Sequence, residues 1–316
     1  MIQIHTTKDW TDIPQGAVVS VGMFDGVHLG HRRVLASLCR FAEELGAVPM
    51  AITFDSHPRL VLGAQDNDFR LLTTNAERYA IMEQGGIADV LEIHFTPDVA
   101  ALSACQFTEE FLVRRLAVKG LLLGYDNMFG NKSRNDFDAL PQLARKSGFG
   151  IRYEGSLLYG DIAISSTQIR KALASGNLLA ANNMLGYQYS MEGIVVEGRK
   201  VGRTIGFPTA NILPSDTLKM LPADGVYITL FSVEGQRYRA ICNVGAQPTF
   251  NAGSRTVEAH ILDFCGDIYG KTVTVAFLER LRDIKRFDTP QSLVNQLIAD
   301  KEACADYFKL NQNAGI

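Results

Sequence analysis

Ala17-Val18-Val19-Ser20-Val21-Gly22-Met23-Phe24-Asp25-Gly26-Val27-His28-Leu29-Gly30-His31 decides how the N-terminal half of this chain folds. A short apolar run enters a glycine turn, and beyond it Val34, Leu35, Leu38, Phe41, Ala42 and Leu45 fall on one face of a buried helix. Strand, glycine turn and helix N-terminus form an anion site, because free backbone N–H groups and the helix dipole both favour phosphate. His28 and His31, three residues apart on the first turn, can both donate hydrogen bonds to a triphosphate, and Gly30 leaves room for close backbone approach. The bland alternative, ordinary capping or surface histidines, is weakened by the full His-x-Gly-His following a Phe-Asp-Gly turn. For zinc, no third ligand is suggested by the spacing.

Outward from this stretch, residues 17 to about 182 alternate apolar runs with segments of helical period, which favours a parallel sheet with crossover helices. Strands are expected at Ala17–Val21, Val48–Phe54, Val90–Phe95, Val118–Leu123 and Ile151–Tyr153. After Gly186 the texture becomes β-rich: Ile194–Val196, Val226–Val233, Tyr238–Asn243, Val257–Leu262 and Val273–Leu278, with turn signals such as Glu234-Gly235. This predicts an antiparallel barrel or sandwich. A last helix, about Pro290 to Phe308, carries Leu293, Val294, Leu297 and Ile298 on one face and should pack onto it. The expected fold is thus a Rossmann-like α/β domain over 1–183 followed by a mainly-β domain over 184–316.

Composition fits this division. A chain of 316 residues exceeds the usual single domain, and 47% hydrophobic with 21% charged residues is an ordinary globular balance. A net charge of -3 supplies no basic field for a nucleic-acid backbone, so any polyanion bound should be small and local. Cys39, Cys105, Cys242, Cys265 and Cys304 are odd in number, widely spread and free of any Cys-x-x-Cys pair; they read as buried small hydrophobes in a reducing compartment. Met1–Trp10 is polar and nowhere do 18 uncharged apolar residues run together, so the expectation is a cytoplasmic protein without membrane contact, monomeric or weakly oligomeric.

Three further stretches bear on the first domain. They are Thr53-Phe54-Asp55-Ser56-His57-Pro58, Gly124-Tyr125-Asp126-Asn127-Met128-Phe129-Gly130 and Ile164-Ser165-Ser166-Thr167-Gln168-Ile169-Arg170. Each lies where a strand ends or a helix begins, the ligand edge of an open α/β sheet. Ser166 and Thr167 can cap a helix starting near Gln168, and Arg170 can present a guanidinium to polyphosphate. Together with Gly22–His31, these stretches resemble the bacterial bifunctional riboflavin kinase/FMN adenylyltransferases, also called FAD synthetases. The second is similar to that family's Gly-x-Asp-Phe-Arg-Phe-Gly loop, from which Asn127 and Met128 depart, and the third to its Ser-Ser-Thr-x-x-Arg signature. The resemblance covers nearly the whole chain. It implies that Gly22, Phe24, Asp25, Gly26, His28, Gly30, His31, Ser166, Thr167 and Arg170 bind ATP phosphates, with His28 and His31 catalytic. It also implies flavin or adenine contacts at His57, Asp126 and Asn127. An attacking phosphate is already anionic, so charge stabilisation carries adenylyl transfer.

In the second domain, Gly198-Arg199-Lys200-Val201-Gly202-Arg203-Thr204-Ile205-Gly206-Phe207-Pro208-Thr209-Ala210-Asn211 has the wrong spacing for a Walker motif. It resembles the riboflavin kinase signature instead. This implies ATP contacts at Gly198, Gly202, Arg203, Gly206, Pro208, Thr209 and Asn211, with Mg2+ on Thr209 and Asn211, whose neutral oxygens suit a hard cation bound mainly through phosphates. Phosphorylating a hydroxyl calls for a carboxylate to take its proton, and Glu258 matches the family's catalytic glutamate. Strand alternation puts Glu258 and His260 on one face. Asn243 is a candidate flavin neighbour.

The resemblance implies that the second domain converts riboflavin and ATP to FMN, and the first converts FMN and ATP to FAD and pyrophosphate. Two other readings stay open at this point: an adenylyl- or cytidylyltransferase for another small phosphate, and a flavin or nucleotide sensor, or a kinase whose N-terminal domain is impaired.

Overall fold

The computed structural model of the protein describes residues 1–7, 10, 12–62, 68–125, 129–134, 136–198, 202, 205–246 and 255–311. Contact density divides it into two compact units, Met1–Ser166 and Thr167–Ile316.

In the first unit six strands pair in parallel: β1 (Gln3–Thr6), β2 (Val18–Val21), β3 (Pro49–Phe54), β4 (Asp89–Ile93), β5 (Gly120–Gly124) and β6 (Gly150–Glu154), in the order β1-β4-β3-β2-β5-β6. Strands β2 to β5 are buried on both faces because both are covered. Val19, Val21, Met50, Ile52, Leu121 and Leu123 enter one core, and Val18, Ala51, Val90 and Leu122 the other, against helix α1 (Leu29–Glu44). Val34, Leu35, Leu38, Phe41 and Ala42 bury as expected, but Leu45 is the C-cap residue and 39% exposed, since the helix ends one residue earlier. From β2 the chain moves to β3 on one side and later pairs β5 on the other. The carboxyl ends of β2 and β5 therefore flank the switch point of the sheet, where open α/β folds bind ligands. The turn Gly22–His28 leaves from that point. Helices α2 (Pro58–Val61) and α3 (Asn75–Gln84) follow β3.

Edge strand β1 and the hairpin of β7 (Leu158–Tyr159) and β8 (Ile162–Ala163) are additions to the sequence-based outline. None of their residues is buried, so they carry no apolar run for periodicity to detect.

In the second unit, β9 (Ser190–Val196), β10 (Ala210–Pro214), β11 (Gly225–Val233), β12 (Gln236–Ala246), β13 (Arg255–Ile261) and β14 (Thr272–Arg282) close into an antiparallel barrel, ordered β10-β13-β12-β11-β14-β9. Closure decides between barrel and sandwich and removes the sheet edges. Helix Leu178–Leu185 packs on it, the Asn182 amide donating to the Phe277 carbonyl at 3.1 Å and accepting the Tyr189 N–H at 2.8 Å.

The C-terminal helix, Pro290–Leu310, docks differently from the expected apolar face. Asp300, Cys304 and Phe308 are its buried residues, Leu293, Val294 and Leu297 are half-buried, and Ile298 is 45% exposed. The reason is a bidentate pair: the Arg282 guanidinium on β14 donates to both Asp300 oxygens, at 2.9 and 2.7 Å. That pair rotates the helix so that Cys304 and Phe308 meet Val226, Ile228 and Leu230. The cysteine expectation also needs correction. Cys242 and Cys304 are buried, but Cys39 and Cys105 are half-buried and Cys265, in the turn region before β14, is exposed.

Candidate active sites

The turn after β2 is held in a strained shape. Phe24 and Val27 adopt φ of 50° and 32°, values that aromatic and β-branched residues take only under constraint. Asp25 supplies it. Its buried carboxylate accepts the N–H groups of Leu72 and Thr73, each at 3.0 Å, and its carbonyl accepts the Ser166 hydroxyl at 2.8 Å. The Gly26 N–H donates to Thr73 Oγ1 at 2.9 Å. The loop is thus clamped from two sides before any ligand arrives.

His28 is the N-cap of α1, its Nδ1 accepting the His31 N–H at 3.2 Å, which leaves the ring hydrogen on Nε2. The two imidazoles stack with centroids 3.6 Å apart and planes 16° apart, and Phe24 meets His31 edge-on. Burial first, then electrostatic coupling to His28 and the positive charge of Arg78, holds the His31 pKa well below the ordinary histidine value, so its imidazole is neutral near pH 7. His31 Nδ1 has no hydrogen-bond partner among the described residues. Gly30 gives this arrangement room: a Cβ there would stand 3.1 Å from His28 Nδ1, so the ring would have to give by a few tenths of an ångström.

A cavity of about 760 Å³ opens beside this loop. Gly22, Phe24, Asp25, His31 and Ser166 line one part, and His57, Phe54, Phe95, Phe107 and Phe129 add an aromatic wall. A lining that joins Asp25, His31, His57 and Ser166 with several phenylalanine rings suits a flat ring that carries a phosphate. His57 caps α2, accepting the Arg59 N–H at 3.2 Å, with its ring 4.4 Å from Phe69. Asp126 and Asn127, with Met128, lie outside the described residues. The helix carrying Ser166, Thr167 and Arg170 runs Ser166–Ala174, starting ahead of Gln168, and Ser166 spends its hydroxyl hydrogen on Asp25. Thr167 and Arg170 belong to the second unit.

Sequence reasoning passes over Arg78. It is buried on α3, its Nη1 donating to the Met23 carbonyl at 3.1 Å and its Nη2 to the Phe54 carbonyl at 3.1 Å and Asn75 Oδ1 at 3.0 Å. A charged residue on a helix is ordinarily solvent-facing, so pattern alone does not single it out.

On the barrel, Asn211, Glu258 and Asn243 stand directly opposite one another on β10, β13 and β12. Cross-strand partners share a face, so three residues far apart in the chain form one row on the barrel's outside. Their neighbours Ile212, Val257, Ala259, Cys242 and Val244 bury to the other side. Asn211 is itself buried against Gly198, where an added Cβ would fall 1.9 Å from Asn211 Nδ2. His260 also matters here, although the sequence assigned it a face and no role. Its Nδ1 donates to the Pro208 carbonyl at 2.8 Å, and its ring lies 5.3 Å from Phe207, so β13 holds the segment leading to Thr209. The Phe207 N–H closes a turn on the Gly202 carbonyl at 2.8 Å, and Gly206 lies within that turn at φ 82°. Arg203 lies outside the described residues. Asn211, opposite Glu258, and Thr209, two residues before it, offer neutral oxygens, a donor set that fits a hard cation sharing its shell with phosphates.

Two family models match the chain, FAD synthetase over residues 11–168 and riboflavin kinase over residues 185–308. A Bacillus subtilis protein named bifunctional riboflavin kinase/FMN adenylyltransferase is 33% identical, over 92% of each chain. The chain belongs to the bifunctional riboflavin kinase/FMN adenylyltransferase family. Relatives of the same name from Haemophilus influenzae and Escherichia coli are 36% and 34% identical, covering 93% and 95% of this chain. A crystal structure from Streptococcus pneumoniae, described as a macrolide-efflux protein, superposes with a TM-score of 0.85 at 32% identity, over 96% of this chain and 98% of its own. Among the described residues here, no helix is long and apolar enough to cross a membrane. The family's two models fall on the two motif sets: the adenylyltransferase model spans Gly22–His31, His57 and Ser166, and the kinase model spans Gly198–Asn211, Asn243 and Glu258.

Proposed function

We propose that residues 1–183 and 184–316 divide the family's two reactions between them, with the residues named below carrying each one. The chain is a bifunctional transferase of flavin cofactor synthesis. In the kinase reaction the riboflavin 5′-oxygen attacks the γ-phosphorus of ATP, its proton passes to Glu258, and ADP leaves. Asn211 and Asn243, opposite Glu258 on either side, orient nucleotide phosphate and flavin. Gly198, Gly202, Gly206, Pro208 and Arg203 form the ATP loop, which His260 props from β13. Thr209 and Asn211 would hold Mg2+, which when bound neutralises charge on the phosphates. In the adenylyl transfer a phosphate oxygen of FMN attacks the α-phosphorus of ATP and pyrophosphate leaves. Here the amides of Gly22–His31 and the imidazoles of His28 and His31 donate to the phosphates, assisted by Ser166, Thr167 and Arg170. Asp25 serves by bracing the loop, since its carboxylate is committed to backbone amides. Contacts to flavin or adenine are assigned to His57, in the cavity lining, and to Asp126 and Asn127.

The functional boundary is proposed at 183/184, a reading supported by family matches ending at residue 168 and resuming at 185. The enzyme is taken to work in the cytoplasm as a monomer or weak oligomer on small molecules and not nucleic acid, consistent with a net charge of -3.

The observation that carries this reading is the row Asn211–Glu258–Asn243, assembled by barrel register from three separate motifs. Incubating the purified protein with riboflavin, ATP and Mg2+ and separating the flavins by chromatography tests it. FMN followed by FAD is expected. Unchanged riboflavin would leave binding without turnover.

A further inference from the structure

The first turn of α3 carries a charge that the two reactions as written leave unused. Arg78 is 2% exposed, and among the described residues no carboxylate contacts it. Its partners are two backbone carbonyls, the neutral Asn75 amide and, at 3.5 Å, the Tyr79 hydroxyl, so its hydrogens are largely placed while the Glu92 carboxylate reaches it only through Asn75 and Tyr79. Among the described residues its Nε has no hydrogen-bond partner, and neither does His31 Nδ1. A guanidinium buried without a counter-ion is costly, and a bound anion is what relieves it.

The carbonyls it holds are well chosen. Met23 lies in the turn after β2, Phe54 ends β3, and both residues line the cavity. Asn75 extends the same grip, donating to the Asp55 carbonyl at 3.2 Å and to Glu92 at 3.3 Å. One planar fork therefore spans the two backbone ends that mount His31 and His57, a geometry that a single ammonium cannot reproduce. The charged and titratable groups around it are His31, stacked on His28, on the loop side, and Glu92 and Tyr79, hydrogen-bonded to each other, on the other side.

We propose that Arg78 is a positioning residue of the adenylyl-transfer site, fixing the carboxyl ends of β2 and β3 and completing its charge with the phosphates of the bound nucleotide. This rests on reading Gly22–His31 as the triphosphate grip. The depressed pKa of His31, to which the Arg78 charge contributes after burial and His28, is the sign that this charge is felt at the grip.

Full-length Arg78→Met, Arg78→Lys and His31→Ala variants test it, through ATP-dependent FAD formation from supplied FMN and an NMR titration of His31 where it is retained. Arg78→Met should raise KM for ATP roughly tenfold to a hundredfold, the range of one charged hydrogen-bonded group, with a smaller change in kcat and a rise in the His31 pKa. Arg78→Lys keeps the charge but not the fork, so KM for ATP rises while the His31 pKa stays low. Wild-type KM for ATP in either variant overturns the proposal, as does a loss confined to kcat with the His31 pKa unmoved in Arg78→Met, the behaviour of a mere strut. Should Arg78→Met fail to fold, Arg78→Lys decides by its KM alone. If His31→Ala makes FAD at the wild-type rate, the triphosphate reading fails first and the proposal with it.

Discussion

Gly198 and Asn211 leave each other almost no space, and the chemistry of the barrel depends on that fit. With Asn211 Nδ2 1.9 Å from where a Cβ would sit, Gly198→Ala must push Asn211 out of its row with Glu258. FMN formation should fall roughly a hundredfold, the scale of an ångström misplacement, while FAD formation from supplied FMN is unchanged. Steady-state rates with each flavin check both halves. His31 makes a different kind of statement. Its folded pKa is lowered, mainly by burial, whereas in the unfolded chain it titrates near the ordinary value of about 6.5. The unfolded state therefore binds the extra proton first. The stabilising contribution is complete above that pH and declines as pH falls toward the folded pKa, by at most about 1.4 kcal/mol per pH unit. Urea midpoints at pH 7.5 and 5.5 should fall less in His31→Gln than in the wild type; equal losses would show that His31 is not buried neutral.

At the scale of elements, what was legible in the sequence was whatever carried its own local signature. Strand β2, its glycine turn and α1 each announce themselves, so the grip was readable from fifteen consecutive residues. The kinase row was not readable as a row. Asn211, Glu258 and Asn243 could be named from motifs, but that they face one another is decided by barrel register, a non-local property. Arg78 and His260 were missed for the same reason, since each acts on a carbonyl far away in the chain. The C-terminal helix shows the limit of apolar periodicity. Its orientation follows an ion pair, with Asp300 2% exposed, and the apolar stripe adapts to it. Asp300→Ala should cost about 3 to 5 kcal/mol by stranding Arg282, measured as a lowered urea midpoint, and Asp300→Glu should recover part of it. An unchanged midpoint would mean that the pair does not set the docking of this helix.

For the molecule as a whole, two family models that match separate stretches of the chain imply two activities that can be removed one at a time. His28→Ala combined with His31→Ala should abolish FAD production and leave riboflavin phosphorylation intact, so that FMN accumulates; undiminished FAD would remove both histidines from the reaction. The reciprocal variant is the more direct test, because it asks whether one carboxylate on one barrel strand accounts for a whole reaction. Glu258→Gln is given ATP and Mg2+ with either riboflavin or FMN, and the flavins are separated by chromatography. The expected result is no FMN from riboflavin and FAD from FMN at the wild-type rate; FMN formed from riboflavin at the normal rate would contradict the assignment of Glu258 and of the row in which it stands.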